Sequence, residues 1–254
     1  MNFTGEHKEN KSLLRLLVLV GWLALWWLIS MLVGQSLLVP SPLQVFRALC
    51  QLMTQPSVWA WIDRSLGTIT LGWLLGICCG FFLSLLALRF PFFDLFLRPL
   101  LWMVRATPVA SFIVLAFLLV GSVRLPILIA FLITMPVVFT AGMDGFATVP
   151  AEQLKTARLY GMEPSKALRY MYLPAALDSF LSGCSIGYGL AWKAGIAAEV
   201  IGLSHGTLGE QIYYAKLSLD TASLFAVTLL IICLSWAAGY LLRHLLKRMS
   251  MPLR

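Results

Sequence analysis

Residues 65–88 contain no charged side chain. As an α-helix, a run of that length crosses the ~30 Å hydrocarbon core of a bilayer at about 1.5 Å per residue. Comparable apolar runs fall at 13–33, 106–123, 125–143, 175–198 and 221–242. Of the whole chain, 60% of residues are hydrophobic and 12% charged, where soluble domains carry about 25% charged residues. One soluble core cannot hide that much apolar surface. The expected fold is an all-α integral membrane protein with six transmembrane helices. In such a protein the formal charge of +8 reflects basic residues beside the cytoplasmic face rather than a nucleic-acid footprint. The cysteines, Cys50, Cys78, Cys79, Cys184 and Cys233, have no metal-ligand spacing with histidine and read as small hydrophobes.

The chain divides accordingly. Residues 1–12 form a polar cytoplasmic tail, its first ten residues expected to be unstructured. Residues 13–33 are the first span; their apolar part is too long for a signal peptide, and no small-residue cleavage site precedes Gln35. Residues 34–64, with Pro40, Pro42 and Pro56, are too polar to span; a short interfacial helix carrying Trp59 and Trp61 is expected there. Residues 65–243 form a core of five further spans, and 244–254 a basic cytoplasmic tail. Within the core, Gly72, Gly76 and Gly80 recur every four residues, on one helical face where a second helix can approach closely; Gly183 and Gly187 repeat the spacing. Arg124 marks a very short turn between spans three and four. Pro126 and Pro136 in the fourth span predict kinks, which a membrane tolerates where neighbours resatisfy the backbone. With both termini on one side, 14 of the 19 Lys and Arg residues fall on the terminal side, which places the termini in the cytoplasm.

The longest polar interlude lies between spans four and five, at 148–174, on the cytoplasmic side. Its grammar is helix–Gly–helix. Pro150 suits a first helical position, and Lys155 and Arg158 lie toward the helix end that favours cations. Gly161 is where the helix should stop. Glu163-Pro164 starts a second helix with Ala167, Leu168, Met171 and Tyr172 on one face, and Pro174 should end it at Leu173.

Enzyme chemistry finds no foothold. No glycine is followed by lysine, so the phosphate-cradling G-x-x-x-x-G-K-[ST] loop is missing. His7, His205 and His244 fall in different compartments, and no metal site is expected.

The polar interlude resembles the cytoplasmic loop of ABC-importer permeases, whose pattern is E-A-A-x3-G-x9-I-x-L-P. Here Lys155-Thr156-Ala157 stands at E-A-A, Gly161 at the Gly, Met171 at the Ile, and Leu173-Pro174 at L-P. The glycine, one alanine and Leu-Pro match; Lys155 replaces the usual Glu. Arg105-Ala-Thr-Pro108 looks like the R-x-x-P of the nitrate/sulfonate/taurine branch. Ala191-Trp192, Ala198-Glu199 and Gly206-Thr-Leu-Gly209-Glu-Gln-Ile212 look like further stretches of that branch. The resemblance covers roughly residues 64–243. It implies a type I ABC-importer permease in a bacterial inner membrane, paired with a second copy or a sister permease. An extracytoplasmic binding protein would deliver a small solute, a small anion such as a sulfonate or nitrate. Separate ATPase subunits would bind ATP and Mg, this chain holding no cofactor. The loop would engage the ATPase through Lys155, Ala157, Arg158, Gly161, Ala167, Leu168, Met171, Leu173 and Pro174. Pro108, Trp192, Lys193 and Glu199 are the candidates for pathway or gate. Lys193 either attracts an anion or snorkels to the outer interface; Glu199 either gates or caps local backbone. A self-contained carrier or channel and a membrane scaffold are the alternative classes.

Overall fold

The computed structural model describes residues 3–35 and 37–250, and every regular element among them is helical. In chain order these are α1 (Phe3–Val33), α2 (Pro42–Met53), α3 (Pro56–Arg89), α4 (Pro91–Ala106), α5 (Val109–Ala147), α6 (Ala151–Leu159), α7 (Pro164–Ala167), a π-helical segment (Leu168–Tyr172), α8 (Leu173–Gly202), α9 (Leu208–Leu217) and α10 (Thr221–Ser250). Four of them contain stretches long and apolar enough to cross a membrane: Leu16–Val33, Pro56–Arg89, Val109–Ala147 and Thr221–Leu246. Two of the six expected spans, the third and fourth, both lie within α5. The fifth lies in α8, where Asp178, Lys193 and Glu199 interrupt the apolar run.

Several boundaries differ from expectation. α1 begins at Phe3, because Glu, Lys and His continue a helix at little cost once an apolar segment has nucleated it. Trp59 and Trp61 do not sit on a separate interfacial helix; they occupy the first turns of the long α3, and the short amphipathic helix there is α2. Ser41 caps α2 with a reciprocal capping box to Gln44, and Pro42 occupies its first turn, the arrangement that satisfies two free N-terminal N–H groups at once. The break between the third and fourth spans is at Gly121 rather than Arg124. Gly121 has φ 70° and ψ 177°, a conformation open essentially only to glycine, whereas Arg124 is compatible with a helix and continues it.

The chain forms two compact units, Met1–Val58 with Gln211–Leu230, and Trp59–Glu210 with Ile231–Arg254. In the first, Ser30 Oγ donates to the Val39 carbonyl at 3.0 Å and Trp26 stacks on Phe225 with centroids 6.1 Å apart. Asp220 caps the start of α10 through the Ser223 N–H and hydroxyl.

The second unit is built on the packing of α5 against α8, with α3 laid along α5. Glycines set the approach. A Cβ on Gly72 would lie 2.3 Å from the Ile127 carbonyl oxygen, on Gly76 2.6 Å from Thr134 Cβ, and on Gly80 2.6 Å from the Met135 carbonyl oxygen. On α8, a Cβ on Gly183 would meet Ala141 Cβ at 2.4 Å, and one on Gly187 would touch Thr134 Cγ2 at 3.2 Å. Backbones that close exchange dispersion contacts along their length, the chief attraction available between helices in lipid. Buried side chains fill the remainder. Ile113, Ala116, Leu125 and Ile129 of α5 cluster with Ala194 and Ala198 of α8. Ala87 of α3, Leu97 and Leu101 of α4, and Met135 and Phe139 of α5 form a second cluster.

Pro126 of α5 is compensated as a membrane helix requires. Pro126 has no N–H to donate to the carbonyl of Ser122, four residues back. Ser204 Oγ supplies a donor to that carbonyl at 2.8 Å, so the group is not left unpaired in an apolar setting.

Candidate functional site

α6 follows Pro150, which caps the helix from outside at ψ 133° instead of occupying its first turn. The far end closes as the glycine demands. Gly161 has φ +68°; its N–H donates to the Arg158 carbonyl at 3.0 Å, and the Met162 N–H donates to that of Ala157 at 2.9 Å. This pair of bonds is the Schellman closure of a helix. Glu163 then caps α7 with Pro164 in its first turn.

The second helix does not stop at Leu173. Tyr172 and Leu173 keep helical φ/ψ, and the Leu173 N–H reaches back five residues to Leu168. The chain therefore passes from α7 through one wide π turn directly into α8. Pro174 stands in the first turn of α8. A π turn is the local device that accommodates a ring without an N–H in an otherwise unbroken helix. A connection expected to be a joint is thus a continuous rod.

One side of this knuckle faces its own protein and the other is bare. Ala157, Ala167, Leu168, Met171, Tyr172 and Leu173 are half-buried, and Tyr172 meets Phe146 of α5 edge-on at 6.1 Å. Lys155, Arg158, Gly161 and Pro174 are exposed. So are two apolar residues at the tip that the sequence reading did not single out, Leu159 at 86% and Tyr160 at 87% exposure. Their signal was faint: they follow the last half-buried position of α6, Ala157, and immediately precede the cap glycine.

The remaining candidates separate along α8. Trp192 is buried and stacked on Tyr188, with its indole N–H unpartnered. Tyr188 sits edge-on to Trp73, whose Nε1 donates to the Cys184 carbonyl at 3.0 Å. Lys193 is exposed and lines two cavities. Glu199 is fully buried, and its Oε2 accepts from Ser65 Oγ at 2.9 Å and from the Gly209 N–H at 3.0 Å. Ser65 Oγ in turn accepts from the Leu208 N–H at 3.0 Å. One carboxylate therefore ties α3 and α8 to the start of α9. Gly209 allows it: a Cβ there would lie 2.3 Å from Glu199 Cβ. Pro108 is exposed and caps α5.

Sequence reading missed the groups around Glu199. Arg64 Nη1 donates to the His205 carbonyl at 2.8 Å, the Gly206 N–H donates to Glu210 Oε2 at 2.6 Å, and Glu210 Oε1 lies 3.0 Å from His205 Nδ1. The glycines at 206 and 209 were the visible hint of this tight loop. Arg105 was noted only as a motif position; its guanidinium donates to the Pro136 carbonyl and to Thr140 Oγ1.

The long apolar helices, the glycine seam and the polar knuckle are those of a multi-pass membrane protein. Over 80% of this chain and 97% of the other, the fold matches a chain of an amino acid ABC transporter crystal structure with a TM-score of 0.64 at 18% identity. Residues 69–251 match the family described as "Binding-protein-dependent transport system inner membrane component", and the chain belongs to that family of ABC-importer permeases. It is 30% identical to a "Probable ABC transporter permease protein" of Haemophilus influenzae, over 93% of this chain and 96% of the other. It is 25% identical to the taurine transport system permease protein TauC of Escherichia coli K12, over 90% and 85%.

Proposed function

We propose that this chain is the pathway-forming subunit of an ATP-driven importer, with six spans, cytoplasmic termini and residues 148–174 as the element that engages an ATPase. The observation that carries this is the knuckle itself. Its inner face is seated on α5, and its tip presents bare Leu159 and Tyr160 beside a rigid glycine cap. Apolar side chains that exposed at the tip of a charged loop mark a docking surface rather than a lipid contact. The π turn makes the knuckle one piece with α8, so tilting it displaces Lys193 and Trp192 directly.

An extracytoplasmic binding protein delivers the solute, and a second copy of this chain completes the pathway. The relation to a taurine permease supports a sulfonate-class solute. The test is co-purification of the partner ATPase with the tagged chain expressed from its own gene neighbourhood. Leu159→Asp with Tyr160→Asp should abolish it while the permease still extracts as a monodisperse species. Retention of a stoichiometric ATPase by that variant would reject the docking assignment.

A further inference from the structure

We propose that the cavity walled by α4, α5 and α8 is an anion-binding station inside the permease, with Arg105 and Lys193 supplying its positive charge. The cavity has a volume of about 470 Å³ and is lined by both cations, by Thr107, and otherwise by apolar groups such as Leu132, Pro136 and Ala194. No carboxylate lines it. That size suits a small organic solute.

Arg105 is held for this role. Its guanidinium is oriented by two neutral acceptors, the Pro136 carbonyl and Thr140 Oγ1, which position the charge without cancelling it. The contrast lies on the same helix: Arg98, seven residues earlier, is neutralised by Asp94 at 2.9 Å. Asp144 and Asp178 line a neighbouring cavity that shares Arg105, not this one. Lys193 comes from α8, and among the described residues no ion pair neutralises it. Arg105 and Lys193 stay open on this cavity, and the carboxylates near Arg105, Asp144 and Asp178, line neighbouring cavities instead, so an anion entering this one meets two cations and no like charge. A guanidinium fork and an ammonium recognise the oxygens of a sulfonate, and the apolar wall receives a short alkyl tail. Only the choice of sulfonate over other anions rests on the importer reading; the site itself stands on the geometry.

The experiment uses the full-length chain in lipid nanodiscs, without ATPase or nucleotide, so a failure of the ATPase-docking assignment leaves its outcome unchanged; nitrate, tested beside ethanesulfonate, separates the anion site from the choice of sulfonate. Ethanesulfonate is the probe and choline the cationic control, each followed by saturation-transfer NMR. Saturable ethanesulfonate binding is expected, undisturbed by choline. Lys193→Met, at an exposed position that folding does not depend on, should weaken it at least ~tenfold, and Lys193→Arg should restore it. Arg105→Gln, with its fold checked by thermal unfolding, should lose the same amount. Absence of saturable binding by the unmodified chain, unchanged binding by Lys193→Met, or equal competition by choline would each overturn the assignment.

Discussion

At the scale of single residues, the position of greatest structural consequence is Glu199. It is fully buried, and its hydrogen bonds reach Ser65 on a helix 134 positions earlier and the Gly209 N–H. Removing one partner strands the others in an apolar setting, which costs about 1–3 kcal/mol for each buried group left unpaired. Glu199→Ala should therefore lower the midpoint of thermal unfolding in detergent by several degrees, since about 1 kcal/mol corresponds to roughly 2–4 °C in a chain of this size. With the other four cysteines replaced, the buried Cys184 is a reporter: its labelling by a thiol-reactive dye should begin at a correspondingly lower temperature. Glu199→Gln keeps the acceptor oxygen and should be milder; equal loss from both variants would mean the charge, not the bond, matters. Lys155 is exposed on α6, and the proposed docking role acts through its charge. Lys155→Glu is expected to leave stability within about 0.5 kcal/mol while reducing solute-stimulated ATPase turnover in the reconstituted importer. Unaltered stimulation would show that charge at this position does not shape the docking surface.

At the scale of elements, the glycine seam between α3 and α5 and the break in α5 are the features most sensitive to added bulk. A β-branched side chain at Gly76 places its Cβ against Thr134, itself fully buried, and overpacking of that kind costs about 1–3 kcal/mol. Gly76→Val should destabilise the protein by that order. The same change at Gly189, where a Cβ meets nothing within 4 Å, should be close to neutral, and comparing the two midpoints checks the assignment. Gly121 tests backbone instead of packing. No atom lies within 4 Å of a Cβ there, so Gly121→Ala should cost about 1–3 kcal/mol purely through its forbidden φ/ψ. Both seam and break follow from glycine's lack of a side chain, used once for proximity and once for conformation.

At the scale of the whole molecule, the proposed six-span topology puts 14 of 19 basic residues on the side of the termini and the 148–174 knuckle. The resulting orientation predicts that Ser165→Cys, in a background lacking native cysteines, reacts with a membrane-impermeant maleimide only in inside-out vesicles. A cysteine introduced at exposed Leu203 should react only from outside. The opposite pattern would invert the topology and with it the ATPase-facing assignment of the knuckle.

Local composition and period made much of this legible in advance. The apolar runs, the glycine spacing from Gly72 to Gly80, and the Gly161 cap depend only on neighbours within a few turns, so the linear chain displays them. The limits of that reading appear where two local rules compete. Pro174 was expected to break a helix, but a π turn absorbs it; the third and fourth spans part at Gly121 because backbone freedom, not charge, chooses the hinge. What only the tertiary structure decided is which distant groups meet. Ser204 answers the carbonyl freed by Pro126 across 82 positions, Ser65 meets Glu199, and Arg105 and Lys193 share one cavity. A hydrogen bond or a shared charge field is set by distance in space, and no periodicity along the chain encodes that distance.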